Sequence, residues 1–590
     1  MLIVKGYGMS ITQKAAQNRK IRRVNLVFPP YVSPSCVPIG IASLKSYIEE
    51  KMRDVQVKNI DLNIEFINKL VDGKTDKICD VCSMSEHLGQ KPFKQQMSKQ
   101  YADLLKAARN LTKDRVRFYD KDLFVKQLQP LQLFLLKYFS CFSNILRQYL
   151  EGRILDEASI SDIFKDELRR ITEEHPDIIG FSALTYTQIG SSIALAKIIK
   201  EKTGITVVLG GPAFFNLDLK ELMEAFDFID FVVVREGEEA LLELIKALNG
   251  TIDCEQVPNL VWRKNGEIIF NGEKVIENLD ELPTPDFSDL KLSSYYSPEL
   301  ILPISSARGC PWNICKFCQL NIQYGGKYRQ RSIDKVVDDI TSLKQKYRAS
   351  NFFFTDSEIS AARLREIGQS LSKGGLQIYF GCYARPTKDL NWEVLSDAYQ
   401  GGCRFLQLGI ESLSDDYLKL VQKGTTRESI VDVLRNADKL GIGLLCYMLG
   451  GIPNQTSQEL LSDAKEIAAL QKQYNIFSVM YCLYSLATFQ QFYLEREKYG
   501  IEVTGRRIAF STKDLKIVHM NDTLQYNYKE KTAYGLLKDC DCIEVDSPLM
   551  AVMQMAKMNQ LLGINSENMS FVSIINDLLF ETQLLYCKKD

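Results

Sequence analysis

Ser305-Ser306-Ala307-Arg308-Gly309-Cys310-Pro311-Trp312-Asn313-Ile314-Cys315-Lys316-Phe317-Cys318 puts three cysteines within nine residues, just after the apolar run Ile301-Leu302-Pro303-Ile304. The run is β-prone, and Gly309 and Pro311 punctuate the residues after it, so the pattern predicts a strand leading into a loop. A loop can wrap a cluster. A regular helix could not turn three thiolates at these spacings toward one point. Three thiolates are one short of closing an iron–sulfur cluster or a tetrahedral zinc site. The spacing therefore suggests a cluster with one open iron. A structural zinc site with a distant fourth ligand stays open, as does a chance grouping among the chain's 15 cysteines.

Composition sets the surroundings of that loop. A chain of 590 residues suggests three or four domains, and 45% hydrophobic content is ample for their cores. A net charge of -1 gives no case for nucleic acid or a polyanionic partner. Met1 to Lys20 lacks the apolar core of a signal peptide, and no apolar run approaches the ~18 residues of a membrane span. Many cysteines without a secretion signal imply a reducing cytoplasm. The three histidines, His87, His175 and His519, argue against a histidine-rich catalytic metal site.

Upstream of the loop, residues 21–285 alternate strands and helices around an interruption. Arg22 to Phe28 reads as a buried strand ending at Pro29-Pro30, and Pro38-Ile39-Gly40 leads into a helix over Ile41 to Lys51. Val55 to Ile60 is a second strand. Residues of about 66–172 form an amphipathic helical insertion with an apolar cluster from Leu131 to Phe142; Cys79 and Cys82 within it read as free thiols. Ile178 to Ser182, Thr206 to Leu209 and Phe231 to Val234 are further strands, ending near Ser182-Ala183-Leu184, Gly210-Gly211-Pro212 and Arg235-Glu236-Gly237-Glu238. The result is an α/β, doubly wound, Rossmann-like parallel sheet, whose ligands would lie beyond the strands' carboxyl ends. A domain of this kind with no ligand is the alternative. Val261-Trp262 and Asn265-Gly266 mark a β-hairpin, and Pro283, Pro285 and Asp286 mark the linker to the next domain.

Residues 286–500 alternate again. Strands are expected at Asn351 to Thr355, Gln377 to Tyr383, Phe405 to Gly409, Gly443 to Leu449 and Phe477 to Tyr484. With the strand before Cys310 they make six, suiting a partial (β/α)6, TIM-type barrel. Chemistry in such barrels sits at strand C-terminal ends, where Asp356, Glu358, Arg385, Glu411-Ser412 and Gly450-Gly451-Ile452-Pro453 fall. Residues 501–590 suggest a small helical or winged-helix domain, with a short hairpin at Leu515 to Val518 and Leu524 to Tyr528 and helices at 532–538, 549–562 and 571–579. Cys540 and Cys542 read as incidental.

Taken together, these stretches resemble the radical S-adenosylmethionine (SAM) enzymes with an N-terminal cobalamin-binding domain, the class B methyltransferase-like group. The carrying residues are the cysteine loop with the aromatic Phe317 before Cys318, the run Gly409-Ile410-Glu411-Ser412, Lys423-Gly424-Thr425 and Gly451-Ile452-Pro453. Upstream they are Pro29-Pro30, Pro38 to Gly40, Ser182-x-Leu184 with Thr187, Gly210-Gly211-Pro212 and Glu236-Gly237-Glu238. The chain departs from the group's usual C-x3-C-x-aromatic-C in having four residues between Cys310 and Cys315.

The resemblance implies a 4Fe–4S cluster on Cys310, Cys315 and Cys318, with SAM chelated at the open iron. It implies SAM contacts from Phe317, Arg385, Glu411, Ser412, Gly450 and Gly451. It implies cobalamin contacts from Pro38, Gly40, Ser182, Leu184, Thr187, Gly210, Gly211, Glu236 and Gly237. The D-x-H-x-x-G motif that ligates cobalt in other cobalamin proteins is absent, so no histidine is expected below the metal. The implied function is reductive cleavage of SAM to a 5′-deoxyadenosyl radical, with methylation of an unactivated carbon on a small molecule or peptide. An electron donor such as flavodoxin or ferredoxin is expected as partner.

Gln319-Leu320-Asn321, Gly326 to Arg329 and the C-terminal tail bear a weaker resemblance to radical SAM proteins of ribosomal-peptide maturation. The tail is then either a leader-peptide binder or a seal for one end of the barrel. Radical cyclisation or crosslinking with a vestigial cobalamin domain stays open, as does a non-catalytic structural metal loop. Methyl transfer requires the C-terminal faces of the two sheets to share one cavity.

Overall fold

The computed structural model describes residues 20–73, 99–153, 157–514, 516–528 and 582–587. Seven strands form the first sheet: β1 (Arg23–Phe28), β2 (Gln56–Asp61), β3 (Ile178–Ser182), β4 (Thr206–Gly210), β5 (Phe231–Val233), β6 (Leu260–Lys264) and β7 (Glu267–Phe270), in the order β2-β1-β3-β4-β5-β6-β7. The first five are parallel, and β1, β3, β4 and β5 are apolar along most of their length because helices cover both faces, whereas the edge strand β2 is largely polar. The expected hairpin is β6 and β7. It joins this sheet antiparallel to β5, so the sheet is mixed at one edge rather than wholly parallel.

The insertion between β2 and β3 is helical, as its pattern predicts. Its longest helix, Lys121–Leu150, runs 30 residues with Asp120 as N-cap. Phe124, Leu128, Leu131, Leu135, Tyr138, Phe142, Ile145 and Tyr149 recur every three or four residues and are all buried. Phe66, Tyr138, Phe139, Phe142 and Phe164 pack ring against ring, and Tyr31, in the loop after β1, stacks on Phe139 with centroids 3.9 Å apart.

The second sheet is six parallel strands: β8 (Ile301–Ile304), β11 (Asn351–Phe354), β12 (Tyr379–Ala384), β13 (Cys403–Glu411), β14 (Gly443–Gly450) and β15 (Ile476–Leu483). A two-residue ribbon, β9 (Ala307–Arg308) with β10 (Arg329–Gln330), closes the cysteine loop. The order β15-β14-β13-β12-β11-β8 leaves no ladder between β8 and β15 among the described residues, so the barrel is partial. Side chains alternate. Leu302, Phe352, Phe354, Leu406, Leu408, Leu444 and Cys446 join the main core. Ile301, Phe353, Phe405 and Leu445 form an inner cluster with Leu584 and Leu585 of the terminal helix Gln583–Cys587. A Cβ at Gly443 would lie 2.1 Å from Cys587 Sγ, so the helix seats where β14 begins with glycine. The terminal helix therefore seals the end of the barrel away from the cysteine loop.

The segment after residue 500 differs from expectation. It opens with a long antiparallel ribbon, β16 (Ile501–Ser511) and β17 (Ile517–Tyr528); the two arms of the expected short hairpin both fall within β17 and pair with β16 instead of with each other. Three register shifts break the period-two pattern, which hides β16 from a sequence reading. The ribbon clasps the first domain. Arg506 pairs with Asp218 (3.2 Å) and Glu221 (3.4 Å), His519 Nδ1 lies 3.0 Å from Glu221, and Phe510 meets Phe226 edge to face. The helices expected at 532–538, 549–562 and 571–579, and Cys79, Cys82, Cys540 and Cys542, lie outside the described residues. No helix among the described residues is long and apolar enough to cross a membrane.

Candidate active site between the two sheets

The cysteine loop is held from several sides. Gly309 has φ 86°, and a Cβ there would lie 2.3 Å from the carbonyl oxygen of Lys327, so only glycine lets the loop leave β9 so close to the incoming strand. Asn313 sits between Cys310 and Cys315 in the left-handed region (φ 57°), and its side-chain amide donates to Gly326 O at 2.9 Å. That kink accommodates the four-residue spacing. Trp312 Nε1 donates to Gln422 O at 2.7 Å while its ring lies 4.0 Å from the Arg385 guanidinium.

The three thiols are half-buried and form no disulfide. Amide N–H groups of Trp312 and Asn313 point at the Cys310 sulfur, and Leu320 N–H donates to Cys318 Sγ at 3.4 Å. Such donors stabilise thiolate. Burial, reinforced by Glu358 3.3 Å away, still pushes the Cys310 thiol up to about 11. Burial pushes Cys315 up to about 12, opposed by Lys423 and reinforced by Cys318, Glu411 and Cys310. If the three sulfurs were ionised together they would repel one another beside two carboxylates, a burden that a multiply charged metal centre would offset. No three His, Cys, Asp or Glu side chains among the described residues crowd one point tightly enough for a single ion.

The polar residues at the C-terminal ends of the barrel strands form paired charges around this loop. Arg385 Nε lies 3.1 Å from Glu358, and its Nη1 donates to Lys423 O at 2.7 Å. Lys423 Nζ lies 2.7 Å from Glu411 and 5.7 Å from the centre of the Phe317 ring. Glu411 has φ 67° beside a register shift between β13 and β14, a strained placement typical of functional positions. A Cβ on Gly424 would strike Trp312 at 2.3 Å. Asp356 accepts hydrogen bonds from Ser306 N and Oγ, and burial holds its carboxyl up at about 6.

Ser412 and Gly451 are placed differently from Glu411. The Ser412 hydroxyl donates to Asp463 at 2.5 Å, and Gly451 N–H donates to Gln455 Oε1 at 2.7 Å, so both brace the loops that come after Glu411 and Gly450. Lys423, Trp312, Gln422, Gln455 and Asp463 were not singled out as site residues by sequence. The Lys423-Gly424-Thr425 motif and an aromatic inside the cysteine loop were the available signals.

Across the interface, the loops after β1, β3 and β4 come together. A Cβ at Gly40 would sit 3.4 Å from Ser182 Oγ, which joins the Pro38 to Gly40 turn to Ser182. Gly211 has φ 95°, and a Cβ there would lie 2.4 Å from Ala183 O, so the β3 and β4 loops press together after Gly210. Thr187 Oγ1 donates to Tyr31 O at 2.6 Å. Leu184 and Tyr186 remain exposed, at 45% and 42%, a pair of large apolar side chains at the ligand end of the sheet. Of the histidines, His175 lies at the opposite end of β3 and His519 on the ribbon. Glycine-tight loops and exposed apolar groups fit a bulky, flat cofactor such as a corrinoid.

Glu236 and Gly237 are placed otherwise. Glu236 commits its carboxylate to Arg329 (3.0 and 2.7 Å), Arg308 (3.3 Å) and Ile276 N–H (2.7 Å), and Gly237 packs near Leu44. Glu238 pairs with Arg308. Phe215, after β4, packs on Phe489, after β15, with centroids 5.4 Å apart. Tyr296 N–H donates to Pro34 O (3.0 Å), and Asp286 N–H to Ala42 O (3.1 Å). The Glu236, Glu238 and Phe215 contacts therefore run from the C-terminal loops of the first sheet to those of the second, while Asp286 and Tyr296 tie in the linker that precedes β8.

Comparison with known proteins agrees with this construction. Residues 304–467 match the model of the radical SAM superfamily, and residues 143–245 match that of the B12 binding domain. An uncharacterized methyltransferase of Pyrococcus horikoshii is 29% identical over 343 residues, covering 57% of this chain and 74% of that protein. The anaerobic magnesium-protoporphyrin IX monomethyl ester cyclase of Rubrivivax gelatinosus is 29% identical, over 58% of this chain and 62% of its own. The hopanoid C-3 methylase of Methylococcus capsulatus is 28% identical, over 47% and 53%. In fold, the chain is similar to the radical SAM methyltransferase TsrM of Kitasatospora setae (TM-score 0.58, 16% identity, 91% and 90% of the two chains covered). It is likewise similar to the cobalamin-dependent SAM radical enzyme OxsB (TM-score 0.59, 17% identity, 94% and 72%). Residues 304–467 thus carry a radical SAM domain and residues 143–245 a B12-binding domain, in tandem on one chain.

Proposed function

We propose that the chain is a cobalamin-dependent radical SAM methyltransferase acting on an unactivated carbon. The observation that most supports this is the docking of the two sheets, in which Arg308, Arg329 and Phe489 of one meet Glu236, Glu238 and Phe215 of the other. When bound, the cluster with SAM supplies a 5′-deoxyadenosyl radical, and cobalamin supplies a methyl group. The chain's own part is to hold and orient. Cys310, Cys315 and Cys318 would ligate three irons, with the N–H groups of Trp312, Asn313 and Leu320 favouring thiolate. The pairs Glu358–Arg385 and Glu411–Lys423 offer opposite charges that can exchange partners with the ammonium and carboxylate of SAM. Leu184 and Tyr186 would pack on the corrin, and Leu584 and Leu585 close the far end of the barrel against water.

The substrate is a small molecule or a peptide that enters between the sheets, the electron comes from a donor such as flavodoxin or ferredoxin, and the setting is cytoplasmic. Named relatives include methylases and a cyclase, so radical cyclisation is the second reading. Anaerobically reconstituted protein, incubated with SAM and a reductant, separates the two. Methyl transfer predicts 5′-deoxyadenosine together with S-adenosylhomocysteine that appears only when corrinoid is added. 5′-Deoxyadenosine without corrinoid-dependent S-adenosylhomocysteine would remove methyl transfer and leave cyclisation.

A further inference from the structure

The acid pair after β5 lies at the C-terminal end of its sheet but commits its carboxylates to arginines of the other domain. Its side chains are nearly buried at the domain boundary, 4% exposed for Glu236 and 6% for Glu238. Their partners, Arg308 and Arg329, are register neighbours on the β9–β10 ribbon. Two cations facing each other across an antiparallel pair are unfavourable by themselves. Here Arg329 forks onto Glu236, and Arg308 forks onto Glu238 while also reaching Glu236 at 3.3 Å. The ribbon closes the segment 309–328, which holds all three loop cysteines; Arg308 stands two residues before Cys310. The ribbon that shapes the cysteine loop is thus neutralised by residues of the other domain.

We propose that Glu236 and Glu238 are positioning residues for the iron–sulfur site, so that the B12-binding domain supports the cysteine loop whether or not it holds a corrinoid. Without the acid pair, two arginines would be stranded at a buried boundary, and the ribbon could relieve them only by separating or turning out to water. Either movement displaces Gly309, whose close approach to Lys327 O ties the start of the loop to its end. The proposal is independent of the reaction assigned above.

The test uses the full chain, reconstituted anaerobically, in the variants E238Q, E236Q/E238Q, E238Q/R308Q and E236Q/R329Q. Three quantities are read: the lifetime of cluster absorbance under an iron chelator, the electron paramagnetic resonance (EPR) of the reduced cluster with and without SAM, and corrinoid affinity. In E238Q the cluster lifetime should shorten about tenfold, less than a fully stranded partner would cost because Glu236 still reaches Arg308. E236Q/E238Q should lose more, with an altered EPR line shape and unchanged corrinoid affinity. Wild-type protein should show one cluster lifetime with or without corrinoid. The charge-neutral doubles strand no cation, so they fold even if the others do not, and should fall between wild type and E238Q. Wild-type lifetimes in both doubles and in E236Q/E238Q would overturn the proposal. Loss of corrinoid binding with an intact cluster would return the glutamates to the cofactor.

Discussion

Gly211→Ala isolates the geometry on which the cobalamin face depends. Gly211 has φ 95° and ψ 166°, a region open essentially to glycine alone, and placing alanine there costs about 1–3 kcal/mol. Its Cβ would also meet Ala183 O at 2.4 Å and Ala183 N at 2.8 Å, both backbone atoms that no side-chain rotation can move. The β3 and β4 loops must part, which breaks Ala183 N–H to Gly210 O (2.9 Å) and Ala213 N–H to Ala183 O (3.1 Å). At about 0.5–1.5 kcal/mol per bond, the loss comes to about 2–6 kcal/mol, a large share of a net stability of about 5–15 kcal/mol. Thermal unfolding should shift down by roughly 5–20 °C, and corrinoid affinity, followed by absorbance titration, should fall about tenfold. Gly210→Ala is the comparison. Its Cβ would meet Val233 O at 3.3 Å and Val233 Cβ at 3.8 Å, with no positive φ, so stability should change by no more than about 1 kcal/mol. Wild-type unfolding and corrinoid affinity in Gly211→Ala would refute the close-approach argument.

Replacing Cys310, Cys315 and Cys318 together by alanine should abolish cluster absorbance and SAM cleavage; retention of about four irons would sink the cluster assignment. EPR of the reduced cobalt(II) form should show no nitrogen superhyperfine splitting, and its appearance would contradict binding without an axial base. Burial holds Asp356 at about 6, above the ordinary 3.8, so the folded chain keeps a proton that the unfolded chain has already lost. The stability from that proton is present below about pH 4 and is lost as pH rises toward 6, by about 3 kcal/mol in all. Asp356→Asn should remove that slope from denaturant midpoints across the window, and an unaltered slope would show that another group carries it. Leu584→Ala and Leu585→Ala should each cost about 2–5 kcal/mol if the terminal helix is seated in the barrel; unchanged unfolding of the double variant would remove the helix from that position.

Much of this was legible in the sequence, for identifiable reasons. The parallel strands stand out because helices cover both faces, so runs such as Phe352-Phe353-Phe354 are apolar throughout. The turns announce themselves by glycine, as at Gly309 and Gly211. The features that were not legible fall into two kinds. The ribbon from Ile501 escaped because its bulges break alternation. The roles of Glu236, Ser412 and Gly451 escaped because a motif marks a position without saying which way a side chain turns. Arg308 and Arg329 are 21 positions apart, and nothing in their spacing says that they share an acid pair from the neighbouring domain.

The insertion shows how a large change in chain length leaves the site intact. It leaves from the C-terminal end of β2 at Leu62 and returns to the N-terminal end of β3, the same path an ordinary crossover helix takes between parallel neighbours of this sheet. The sheet order is therefore undisturbed, although more than a hundred residues intervene between β2 and β3. The match to the B12 binding domain begins only at residue 143, since β1 and β2 are severed from the rest in sequence but not in space. The added helices are not remote from the site, however. Phe139 stacks on Tyr31, whose carbonyl accepts from Thr187 in the loop after β3. A change in the packing of Phe139 is thus two contacts from the Leu184 and Tyr186 surface, and Phe139→Ala should weaken corrinoid binding more than its distance along the chain suggests. Full corrinoid affinity in a folded Phe139→Ala variant would show that the loop after β3 holds its place without the insertion.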